Sequence, residues 1–116
     1  MLKFKALVPL TLLSLLTLVP SSAAQIEPLL KEGEEHLEAW RLPQAEEIAS
    51  RLVRENPKSL GALDLHGRVK FYQGRYEEAL RSLEQALAIE SANERRQALR
   101  ILAQQTRDTV KKLKRF

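Results

Sequence analysis

Cysteine is absent from all 116 residues. No disulfide, thiolate metal ligand or thiol nucleophile is therefore available, and packing alone must hold the chain together. Histidine is almost as scarce. His36 and His66 are the only two, and neither has the close partner of a metal motif such as H-E-x-x-H. The four glycines form no phosphate-cradling loop, and no nucleophile–base set can be assembled around them. These absences predict a protein that is not an enzyme and carries no metal or cofactor. Aromatic residues make up 5% of the chain, and near the basic carboxyl end only Phe116 could stack on a base, which argues against nucleic acid as a partner.

Long apolar runs are missing too, with one exception at the start. Lys3 and Lys5 precede an apolar run over residues 6–19, interrupted by Pro9, Thr11, Ser14 and Thr17. Pro20-Ser21-Ser22-Ala23-Ala24 follows, with Ser22 and Ala24 at the −3 and −1 positions of a cleavage site. This three-part plan predicts a signal peptide over residues 1–24, and an exported chain, periplasmic or secreted, that begins at Gln25. The run is shorter than the roughly 18–20 residues needed to span a bilayer, which favours a cleaved signal over a retained anchor. Gln25 stands where a bacterial lipoprotein has its lipid-bearing cysteine, so membrane contact is expected only through the signal peptide.

The net charge of +4 is unevenly spread. Residues 25–91 hold thirteen acids against nine bases, whereas residues 92–116 hold eight bases against two acids. Such a division can orient a partner at low salt, without identifying it.

Apolar spacing predicts five helices. The first covers residues 28–40, with Pro28 in its first turn, and the second covers residues 43–55 up to Asn56-Pro57. Ser59 is the predicted N-cap of the third, which ends near Gln73 with Gly74 in the left-handed region. The fourth covers residues 76–89. Ser91-x-x-Glu94 reads as a capping box opening the fifth, whose stripe of Leu99, Leu102, Thr106, Val110 and Leu113 is expected to cover the last apolar seam. Glu32, Glu34, Glu35 and Glu38 read as a solvated face and His66 as a packing residue. Contact of the basic fifth helix with anionic lipid is the alternative to its role as a cap.

Two intervals then stand out. Gly33 returns as Gly67, and Ala45 returns as Ala79, each thirty-four residues later. Around the second pair stand Leu63-x-x-His66-Gly67, Gly74-Arg75-Tyr76-Glu77-Glu78-Ala79-Leu80 and Leu83-x-x-Ala86-Leu87. A fixed period of this length marks a helix-turn-helix unit that must stack on its neighbours. The pattern resembles the tetratricopeptide repeat. Gly67, Gly74, Tyr76, Ala79 and Ala86 fall on that family's signature positions, while Lys70 takes the tyrosine position beside Phe71 and Ser91 replaces the closing proline. The earlier unit matches at Gly33, Ala45 and Pro57 but has Trp40 in place of the turn glycine, with Ala49 and Leu52 exchanging the usual large and small residues.

The resemblance implies an all-α fold, a short tetratricopeptide-type α-solenoid. It divides into a degenerate first repeat over residues 25–58, a second over 59–92 and a C-terminal capping helix over 93–116, which begins like a third repeat. It also implies a protein-interaction module that binds a peptide or helix in the groove lined by the first helix of each repeat. Carried over by position, the groove residues are Leu30, Glu34, Leu37 and Glu38, then Asp64, Arg68, Phe71 and Tyr72, with Phe71 and Tyr72 as anchors. The clamp by which some relatives hold a terminal carboxylate is replaced here by Leu30, Glu34 and Leu65. Two alternative roles are a self-associating subunit of an envelope complex and the amino-terminal module of a larger exported enzyme. The latter follows a weaker likeness to exported bacterial proteins in which such repeats precede a zinc-peptidase-like domain.

Overall fold

The computed structural model describes residues 22–115, so the expected signal peptide lies, up to Ser21, outside the described residues. Among the described residues there are five α-helices and no strand: α1 Ser22–Glu38, α2 Leu42–Glu55, α3 Leu60–Tyr72, α4 Tyr76–Ile89 and α5 Glu94–Leu113. The chain is all-α. Each helix packs on the next, and α1, α3 and α5 also touch one another in sequence, so the odd helices form one layer and α2 and α4 the other.

Local chemistry places most of the boundaries. Pro43 occupies the first turn of α2, where a missing N–H costs nothing. The Ser59 hydroxyl accepts from the Ala62 N–H at 3.3 Å and starts α3. After α3, Gly74 takes φ 79°, which glycine adopts freely.

The backbone repeats with the period seen in the sequence. Trp40 has φ 59° and Gly74 φ 79°. Arg41 (φ −86°, ψ 70°) precedes α2 as Arg75 (φ −91°, ψ 70°) precedes α4. Asn93 caps α5 by accepting from the Arg96 N–H at 2.9 Å, thirty-four residues after Ser59 caps α3.

The glycines of the period serve close packing. A Cβ on Gly33 would lie 2.7 Å from Leu65 Cδ2, and one on Gly67 would lie 2.8 Å from Leu83 Cδ2. Ala45, Ala49, Leu52, Ala62, Leu65 and Val69 are buried with them where α1, α2 and α3 meet. Ala79, Leu83 and Ala86 bury the inner face of α4. Helices this near each other exclude water from their seam and gain dense dispersion contact.

Three expectations are corrected. Helix α1 begins at Ser22, so Pro28 lies inside it rather than in its first turn. Pro28 has no N–H to offer the carbonyl four residues earlier, but Ile26, Leu29 and Leu30 pack against the core on either side of it and hold the helical path. The N-cap of α5 is Asn93, not Ser91. Ser91 sits in the turn after α4, where its carbonyl accepts from the Gln97 side chain, and asparagine caps as well as serine. The packed face of α5 is also rotated from the expected stripe: Arg96 and Ala103 are its buried residues, while Leu102 and Leu113 are exposed. Leu99, Thr106 and Val110 of that stripe are half-buried, and the ion pair of Arg96 with Asp64 on α3 accompanies the rotation.

Candidate partner-binding groove

The shared layer of α1, α3 and α5 carries the site. A trough of about 390 Å³ runs across it. Leu37, Glu38 and Trp40 line it from the end of α1, Arg68 and Tyr72 from α3, and Arg95, Ala98, Leu99 and Leu102 from α5. At its narrow end lies a smaller hollow of about 90 Å³, lined by Asp64, Arg68, Asn93, Arg95, Arg96 and Leu99. Arg68, Arg95 and Leu99 line both, so the two adjoin.

The wide end is open and mixed, with exposed apolar side chains beside Glu38, Arg68 and Arg95. Trp40 is 67% exposed and Leu102 49% exposed. The Trp40 and Tyr72 rings meet edge to face at 5.2 Å, a favoured geometry because the positive ring edge meets the negative ring face. The narrow end is ionic. Asp64 bridges two arginines: Arg96 Nε donates to Oδ1 at 2.9 Å, and Arg68 Nε lies 3.5 Å from Oδ2. Arg68 Nη2 also donates to Glu34 at 3.3 Å. One chain of charge thus ties α1 to α3 and α3 to α5.

Of the eight residues expected at the groove, Leu37, Glu38, Arg68 and Tyr72 come together in the trough, and Asp64 lies in the adjoining hollow. Leu30 and Glu34 line a separate hollow near the start of α1. Leu30 is turned onto α3, where its Cδ2 would lie 2.7 Å from a Cβ on Gly61. Phe71 lines neither hollow. It packs edge-on between Tyr72 at 5.5 Å and Tyr76 at 5.6 Å.

Sequence reasoning missed Trp40 and every contribution from α5. One signal could have found two of them. Adding the period once more to Asp64 and Arg68 gives Ala98 and Leu102, and both line the trough. Trp40 carried its own signal, a large aromatic in a turn position that calls for glycine.

A second polar cluster lies between α2, α3 and α4. Lys70, only 5% exposed, pairs with Glu46 at 2.8 Å and Glu78 at 3.0 Å. Gln73 and Arg75 also donate to Glu46. The hydrogen bond from Lys70 holds the Glu46 carboxyl below its usual range, with Gln73 adding to it, and the same lysine lowers Glu78. Burial pulls Lys70 down, but its bonds to the two glutamates outweigh burial and leave it raised. His66 shares a 2.6 Å hydrogen bond with Ser82 and is lowered, first by burial and then by Lys70. The cluster cross-links three helices and is a structural feature.

No protein-family model, no curated protein and no solved structure matches the chain. Among the described residues no group of His, Asp and Glu is arranged to hold a metal ion, and no helix is long and apolar enough to cross a membrane.

Proposed function

We propose that this chain is an exported protein-interaction module of tetratricopeptide type, which holds a peptide segment or helix of a partner in the trough across α1, α3 and α5. The observation that carries the reading is the exposed pair Trp40 and Tyr72 facing Leu102 across a groove whose register repeats every thirty-four residues. Large aromatics beside a half-exposed leucine are the side chains from which interface hot spots are built. The recurring cap and turn dihedrals support the family resemblance, and export remains part of the proposal on the strength of residues 1–24.

A photo-crosslinking side chain placed at Leu102 tests the site in the native cell. Placed at Arg51, exposed on α2, the same group serves as the control. Capture of a defined partner from Leu102 but not from Arg51 supports the reading; equal capture from both overturns it. Mass analysis of the same material gives the amino terminus, expected at Gln25.

The division of charge along the chain favours one second reading, a subunit that stacks head to tail on its own copies. Sedimentation at rising concentration separates the two. A monomer in low salt at high micromolar concentration removes self-stacking.

A further inference from the structure

The narrow end of the trough has more donors than its own acid can satisfy. Three arginines, Arg68, Arg95 and Arg96, line the small hollow with one carboxylate, Asp64, and Arg68 also pairs with Glu34 outside it. Arg95 has no ion-pair partner among the described residues, is exposed, and belongs to both parts of the trough. Arg96 is 7% exposed, and its Nη1 has no hydrogen-bond partner among the described residues. A buried guanidinium donor left in this state marks a place where an acceptor is favoured.

The same place is the amino end of α5, a twenty-residue helix. Asn93 takes the Arg96 N–H on its side chain and the Gln97 N–H on its carbonyl. The N–H groups of Glu94 and Arg95 are the helix's remaining early donors, and the partial positive charge of the helix end adds to that of the arginines. Glu94 does not line the hollow.

We propose that the trough takes an acidic peptide, an extended segment with a bulky apolar side chain against Trp40, Tyr72 and Leu102 and an Asp or Glu side chain reaching Arg95 at the amino end of α5. The inference rests on the trough being the binding site. The hollow, about 90 Å³, suits a side-chain carboxylate. A chain terminus would have to bring its backbone and last side chain into the same space. Arg95 makes the contact, and the positive charge of Arg96, which lines the same hollow, adds to the attraction.

Trp40 is the only tryptophan in the chain, so its fluorescence reports directly on the trough. Random twelve-residue peptides with a blocked carboxyl terminus are selected on the purified protein. An enriched peptide is then synthesised as its amide and titrated against Trp40 emission. The expected peptides combine a large apolar residue with Asp or Glu within four positions. Changing that acid to its amide, or Arg95→Gln in the protein, is expected to weaken binding about tenfold, and both changes together no more than either alone. Arg95 is exposed in the first turn of α5, and an unchanged helical spectrum for Arg95→Gln shows that folding is not the cause.

Saturable quenching of Trp40 with no acid preference overturns this inference and leaves the groove standing. Binding that needs a free terminal carboxylate overturns the side-chain assignment. Selected peptides that quench Trp40 in a Tyr72→Ala/Leu102→Ala variant with the parent's affinity overturn the groove itself.

Discussion

Trp40 and Gly74 stand thirty-four residues apart in the chain and share the left-handed backbone, with φ 59° and 79°. Glycine reaches this region without steric cost, whereas a residue with a Cβ gives up about 1–2 kcal/mol. The strained residue is also the one whose ring stands open in the trough against Tyr72. Backbone strain of this kind clusters at ligand and active sites, which accords with the role proposed for the trough.

The strain has a measurable sign. Trp40→Gly and Trp40→Ala both lose the ring contact with Tyr72, but only glycine relieves the backbone. Trp40→Gly is expected to be the more stable by about 1 kcal/mol, the reverse of the order at an ordinary helical site. Gly74→Ala, where nothing lies within 4 Å of the new Cβ, is expected to cost about 1 kcal/mol from conformation alone. Urea unfolding followed by circular dichroism gives all three values, and equal stability of the two Trp40 variants would remove the strain argument.

Close approach can be separated from helix propensity by two glycines. A Cβ at Gly67 meets both Cγ and Cδ2 of fully buried Leu83 at 2.8 Å. Overpacking there is expected to exceed the gain of about 1 kcal/mol from alanine's helix propensity, so Gly67→Ala is destabilising by about 1–2 kcal/mol. At Gly61 the neighbour is the methyl end of half-buried Leu30, which can swing aside. Gly61→Ala is expected to fall within about 0.5 kcal/mol of the parent, and a loss equal to that at Gly67 would show that Leu30 is held rigidly.

Asp64 carries the docking of α5. Asp64→Ala leaves Arg96 buried without its acid, at a cost of about 3 kcal/mol. Amide exchange is the discriminating measurement, because protection should fall in α5 while α2 and α3 retain theirs. Uniform loss of protection along the chain would instead mean that α5 and the remainder unfold as one unit.

Acid is expected to destabilise the fold in two stages. His66 titrates below its ordinary value near 6.5 in the folded state, so the unfolded chain takes up the proton first and stability falls as pH drops through that value. Glu46 and Glu78 are lowered, so their contribution is intact above the ordinary carboxyl value of 4.5 and is lost as pH falls through the depressed folded values. Lys70 is raised from 10.5. Its contribution is therefore complete below 10.5 and disappears only at higher pH. Denaturation midpoints against pH, with His66→Gln to remove the first stage, check the assignment. Persistence of that stage in the variant would place it elsewhere.

Most inner helix boundaries and the repeat period were legible in the amino-acid order because their causes are local, whereas the start of α1 was not. Pro43, Ser59 and Gly74 act on neighbours within one turn, and the spacing of Gly33, Gly67, Ala45 and Ala79 records which positions must be small where helices touch. Local signals also led astray where two were nearly equivalent: Ser91 and Asn93 are both good caps, and only the length of the turn after α4 chooses between them. The rotation of α5 was not local at all. It accompanies the burial of Ala103 and the bond from Arg96 to Asp64, thirty-two residues away, and it leaves Leu102 in the trough instead of the seam. The same holds for Phe71 and Trp40. Phe71 occupies the register expected of a groove anchor, but Tyr76 draws it aside, and Trp40 across the turn takes the open place beside Tyr72. The sequence by itself determined the helices and the period at which they stack. The tertiary structure decided which side chains meet in the trough, because that depends on pairings between residues far apart in the chain.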